Sequence, residues 1–165
     1  MPRDAREIAN IILDRSEYLN LHISNLSLNK ILYFVNGVNY KFTNEDLLMD
    51  RFEAWEYGPV IKEIYYQFKK HGSERITSRA TTTDFLTGKT EIFPKTITSD
   101  ELDRILPVID FFSRVPSGKL VDWSHMEGSP WYETWHHAGR LNVGMKISNE
   151  SMRAYFRSSW SKAGA

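Results

Sequence analysis

The chain has 165 residues, 41% hydrophobic and 13% aromatic, which is enough for one folded domain with its own core. Lysine plus arginine and aspartate plus glutamate both number 21, so the formal net charge is zero, whereas a nucleic-acid binder ordinarily shows a basic excess. There is no cysteine, which excludes disulfides, thiol catalysis and cysteine-ligated zinc.

The N-terminal stretch MPRDAREIAN is charged and lacks the apolar region of a signal peptide. No run approaches the roughly 18 apolar residues of a membrane span. The expectation is a soluble cytoplasmic protein. Over residues 3–17, Ala5, Ile8, Ala9 and Ile12 share one helical face, and Asp4 is placed to cap it. Ser24 or Asn25 caps a second helix, predicted over 26–40, where Leu28, Ile31, Leu32, Val35 and Val38 form an apolar stripe. Arg51 to Trp55 reads as a short extended segment, with Trp55 packed in the core. Gly58-Pro59 reads as a helix entry, with Pro59 in the first position of a third helix over 59–71 that Gly72 ends.

The composition then turns threonine-rich, which suits strands, and Thr87-Gly88-Lys89 supplies a turn. The prediction is an exposed β-hairpin at about 75–94, with few large apolar residues. Thr98 and Glu101 have capping-box spacing ahead of Leu102, Ile105, Leu106, Ile109 and Phe112. Pro107 lies inside that pattern and predicts a kink. A short helix over 118–126 points Leu120 and Val121 inward. Residues 127–146 read as irregular or partly helical, and Ser148 caps a last helix over 149–158. The fold class is mainly α: a single compact domain of about six helices with a small β-hairpin insertion, over 1–160. Residues 161–165 read as a disordered tail.

Candidate chemistry is sparse. His125-Met126-Glu127 has the spacing of a zinc deaminase half-motif, but the cysteines that complete such a site do not exist here. A structural histidine, bonded to backbone and packed on Trp131, is the better reading. His136 and His137 are adjacent, so a helix would point them about 100° apart. Gly139 to Lys146 imitates a phosphate loop, but Met145 separates Gly144 from the lysine and no buried strand leads in. No catalytic residue, cofactor or metal site is expected. The aromatic surplus is more informative. Tyr65 and Tyr66 cannot both face the core from one helix, and Trp131, Tyr132 and Trp135 exceed one stripe. Tyr66, Tyr132, Trp135 and Arg140 are therefore the expected partner-binding residues, because Trp, Tyr and Arg dominate interface hot spots.

Three segments carry a resemblance: LNKILYFVNG, EAWEYGPVIKEIYYQFKKHG and SHMEGSPW, in that order. Together they are similar to the Panacea domain, the SocA-like antitoxin family of bacterial and phage toxin–antitoxin pairs. The positions matching its motifs are Lys30, Trp55, Gly58, Pro59, His125 and Trp131, all read as structural first. The resemblance implies a non-enzymatic antitoxin that neutralises a cognate, adjacently encoded toxin by direct protein–protein contact. It also allows a proteolytic adaptor that delivers the toxin to a bacterial protease. A small hydrolase or nucleic-acid-acting enzyme finds no support in the residues. Neither a membrane nor a nucleic-acid partner is expected.

Overall fold

A computed structural model describes residues 1–160. The chain runs α1 (Ala5–Tyr18), α2 (Asn25–Thr43), β1 (Glu53–Trp55), β2 (Gly58–Val60), α3 (Lys62–Phe68), β3 (Thr81–Thr83), β4 (Thr90–Ile92) and α4 (Ser99–Ser113). It continues through α5 (Ser117–Ser124), α6 (Pro130–Trp135), β5 (Met145–Lys146) and α7 (Asn149–Ser158). Single 3₁₀ turns follow α3 and α6. The fold is mainly α, with seven α-helices among the described residues where the sequence suggested about six. The additional helix is α6, in the stretch expected to be irregular. The tail at 161–165 lies outside the described residues.

Helix α2 is the axis of the molecule. Every residue from Ser27 to Tyr40 is buried, and the helix packs on α1, α3, α4, α5, α7 and β2. The apolar stripe seen in the sequence is only one of its faces. Phe34, on another, stacks on Phe112 with ring centroids 5.0 Å apart, and Tyr33 meets Phe52 and Phe156 edge-on. A helix buried all round is normally apolar all round. Here Asn29, Lys30 and Asn36 interrupt the pattern because each bonds a distant backbone group. The Asn36 carbonyl oxygen accepts from the Leu47 and Leu48 amides, both at 3.2 Å. Gly37 lets α7 approach closely, since a Cβ there would lie 2.4 Å from the Phe156 ring.

The helix caps follow the sequence. Asp4, Ser24 and Ser148 accept from amides two or three residues on, and Thr98 with Glu101 forms the reciprocal capping box. Helix α4 passes through Pro107 as one continuous element, with the proline on its exposed side.

The third helix departs from expectation. Pro59 is not its first residue. Gly58, Pro59 and Val60 form β2, antiparallel to β1 with Ala54 opposite Pro59, and the helix begins at Lys62. Strand order β2–β1–β5 puts β2 at an edge, where a residue without an N–H does no harm to the ladder. Gly58 has φ +113°, which no helix entry uses.

The threonine-rich hairpin is real but shorter than predicted: β3 pairs with β4 only. Its root is pinned to α1. Asn10 exchanges two hydrogen bonds with the Ala80 backbone, and Glu7 accepts from the amides of Thr96 and Ile97. Its tip is ordered by the Asp84 carboxylate, which accepts from the Leu86 and Thr87 amides. That tip holds Phe85 and Leu86 almost wholly in solvent, at 100% and 97% exposure. Hydrophobic content at the tip is thus higher than the threonine count implied.

Candidate functional site

The three sequence segments converge on one turn. Strands β1 and β2 are joined by Glu56 and Tyr57, and the carbonyls of Trp55, Glu56 and Pro59 each lie within hydrogen-bond reach of a side-chain nitrogen. Three side chains from elsewhere satisfy them. Trp131, at the start of α6, donates its indole N–H to the Trp55 carbonyl at 2.8 Å. His125, just after α5, places Nε2 3.0 Å from the Glu56 carbonyl, and its Nδ1 lies 2.7 Å from the Val121 carbonyl. A neutral imidazole has one N–H, so it donates to one of these carbonyls at a time. Lys30, from the middle of α2, donates its ammonium to the Pro59 carbonyl at 2.9 Å.

Packing completes the lock. The His125 ring lies against Trp131 with centroids 3.8 Å apart, and Trp135 stacks on Trp131 at 5.4 Å and 17°. Ser129 caps α6 and donates to the Ser124 carbonyl, which ties α5 to α6. The expected backbone bonding of His125 and its contact with Trp131 are both present. The expected burial of Trp55 is only partial. Its ring lies edge-on to Tyr65 at 4.9 Å and its N–H reaches Glu53 at 3.2 Å. The alternation of β1 puts Ala54 inward and Glu53 and Trp55 to the other side.

Beside the lock lies a cavity of about 500 Å³, walled by Trp55, Tyr57, Tyr65 and Val60 with Asn25, Asn29 and Lys30 also lining it. The two asparagines are spent on structure. Asn29 donates to Asn25 and accepts from the Ile61 amide, and Asn25 donates to the Tyr65 carbonyl. Sequence reasoning took Asn25 only as a candidate cap and missed Asn29, yet a signal was present: asparagines four apart, flanking the apolar stripe of α2. Among the described residues no group of three His, Asp or Glu side chains is gathered as a metal site requires.

Lys30 is the chemically unusual member. It is fully buried and forms no ion pair among the described residues. Burial pushes its pKa down to about 7 from the usual 10.5. Above about pH 7 the unfolded chain still holds the proton that the folded chain has lost, so stability rises with pH from there toward 10.5. Burial raises Tyr33 and Tyr40, which oppose the trend only at higher pH. The expected result is a melting temperature that climbs by on the order of 5 °C between about pH 7 and 9. Lys30→Met should flatten that climb. Identical slopes in the two proteins would remove Lys30 as its source.

The expected partner residues separate. Tyr66 is exposed on α3 and Arg140 is exposed after α6. Tyr132 is half-buried with its ring tilted over His136 at 4.2 Å. Trp135 is buried, at 8% exposure, and belongs to the stack under the lock. Helix α6 is so short that Trp131 and Trp135, four apart, use up its one inward face. Trp135 is therefore corrected from a surface residue to a core residue.

The β1–β2 turn of this mainly helical domain is thus held by a lysine, a histidine and a tryptophan from three other places. The family model described as "Antitoxin SocA-like, Panacea domain" matches residues 28–132, which hold all three, and the chain belongs to that family. It is 34% identical over 155 residues to "Antitoxin SocA" of Caulobacter vibrioides (strain NA1000 / CB15N), covering 93% of this chain and 82% of that one. A search of solved structures gave no match. No described helix is long and apolar enough to cross a membrane.

Proposed function

We propose that this protein is a cytoplasmic antitoxin that neutralises an adjacently encoded protein toxin by direct contact, without catalysing a reaction. The observation that carries the reading is the family match across residues 28–132, together with 34% identity to an antitoxin over nearly the whole chain. The lock accounts for Lys30, Gly58, Pro59, His125 and Trp131 as structure, so recognition falls to what lies around it. The edge contacts from Trp55 to Tyr65 to Tyr66, and the pairing of β5 with β1, bring α3 and the segment before β5 to either side of β1. The proposed contact surface uses Tyr66, Tyr132 and Arg140, with Trp135 supporting it from beneath. The apolar hairpin tip, Phe85 and Leu86, is the competing surface.

Single alanine variants of Tyr66, Tyr132 and Arg140, checked for unchanged melting, decide between them in a growth assay against the adjacently encoded gene product. At least one should weaken binding by about 2 kcal/mol or more, the scale of an interface hot spot. Full activity in all three, with loss in a Phe85→Ser/Leu86→Ser variant, would move recognition to the hairpin. Direct neutralisation also requires that the toxin's half-life in cells be the same with and without this protein. A shortened half-life would favour delivery to a protease.

A further inference from the structure

The fold leaves its two most exposed large apolar side chains side by side at the end of an ordered arm. Phe85 and Leu86 stand almost wholly in solvent. The arm beneath them is already built: Thr83 and Thr90 bond through their hydroxyls across it, and the Asp84 amide donates to the Lys89 carbonyl. A knob ordered in advance loses little freedom when it docks. The same chain carries a hollow that matches it. The cavity beside the lock has a volume of about 500 Å³, within the roughly 300–1,000 Å³ that takes a compact apolar body, and Trp55, Tyr57, Val60 and Tyr65 wall it. Leu26 and Val143 also line it, and with Tyr57 they remain exposed. Contiguous exposed apolar surface of this kind marks an interaction site, where single scattered residues do not.

We propose that the hairpin tip of one copy docks into this cavity on a second copy, with Phe85 and Leu86 against Trp55, Tyr57 and Tyr65. The inference is independent of the toxin contact. Charge favours a second copy as the occupant. Asp84 and Lys89 flank the apolar pair, and both are exposed. Glu56, from the β1–β2 turn, and Lys69, from the 3₁₀ turn after α3, line the cavity and are exposed as well. Lys89 therefore meets Glu56 while Asp84 meets Lys69. The net charge of zero sets no long-range repulsion between copies. A chain's own tip does not reach its own cavity. The Gln67 carbonyl oxygen accepts from the Thr81 amide at the root of the hairpin, whereas Tyr65 faces the cavity. Two residues apart on α3, these side chains point about 200° from each other, so hairpin and cavity lie on opposite flanks of the helix. Two side chains and a rim bury less than the roughly 1,200 Å² of a stable complex, so the association is weak and reversible.

The test is sedimentation velocity on the full chain alone, from micromolar to millimolar concentration. The average mass should rise above that of one chain as concentration increases. A Phe85→Ser/Leu86→Ser variant should weaken the association at least about tenfold, as loss of a hot spot does. Its melting temperature should not change, because both side chains are already in solvent. Lys89→Glu should weaken the association too, and adding Glu56→Lys to the same chain should restore it. Isotope-labelled serine variant, which keeps its cavity but lacks the knob, locates the contact. Its Trp55 indole signal should shift with unlabelled wild type and stay still with unlabelled serine variant. Association that ignores the serine substitutions, a Trp55 signal that wild type does not move, or a charge swap that restores nothing overturns the proposal. So does a chain that stays single at every concentration. If the adjacently encoded protein then shields Trp55, the cavity belongs to that partner.

Discussion

Trp131→Ala should destabilise the fold by about 3–5 kcal/mol, the cost of emptying a large buried aromatic site. In a domain of this size that lowers the melting temperature by roughly 10–15 °C. Trp131 is 4% exposed, and its ring contacts both His125 and Trp135. Its loss also strips the Trp55 carbonyl of its donor. Trp131→Phe keeps most of the ring and loses the N–H, so it should cost less, with about 1 kcal/mol assigned to the hydrogen bond. Trp55→Ala is the informative contrast. The sequence placed Trp55 in the core, which would give it the larger penalty. Its half-buried position against Tyr65 limits the cost to about 2 kcal/mol. Denaturant unfolding of the three variants checks the order. A Trp55→Ala penalty equal to that of Trp131→Ala would mean that the turn packs differently from the arrangement described.

That contrast shows what the residues disclosed and what they withheld. The helices were legible wherever a cap and a periodic stripe coincide: Ser148 with Met152 and Phe156, or Thr98 and Glu101 with Ile105, Ile109 and Phe112. The segment around Gly58 misled because Gly-Pro is compatible with both a helix entry and a turn into an edge strand. Only the partner strand, β1, with β5 arriving some ninety residues later, decides between them. Helix α6 was hidden by its length, since six residues show less than two turns of periodicity. The locking residues could be found as motifs, but their common target could not. Each of Lys30, His125 and Trp131 acts on a carbonyl, and a carbonyl has no letter in the sequence. The cavity was invisible for a related reason, being defined by where Trp55, Tyr57 and Tyr65 stop.

Gly58→Ala should be the most damaging small substitution in the lock, at about 3 kcal/mol or more, because two separate penalties meet there. The first is the backbone. Gly58 holds φ at +113°, a conformation that residues with a Cβ rarely adopt, and forcing it costs on the order of 1–3 kcal/mol. The second is space. The added Cβ would lie 2.6 Å from the Lys30 Cε and 2.7 Å from the Ser124 Oγ, and both side chains are fully buried. Neither can swing away, because Lys30 is tethered to Pro59 and Ser124 donates to the Val121 carbonyl. Overpacking of this kind costs typically about 1–3 kcal/mol. A double-mutant cycle separates the two penalties. Lys30→Ala removes the nearest atom of the clash and leaves the backbone strain untouched, so the pair should be less harmful than the sum by about 1 kcal/mol. Strict additivity would leave the requirement for glycine to its dihedral angle and to the Ser124 contact, and the close packing of lysine against the turn would then contribute nothing.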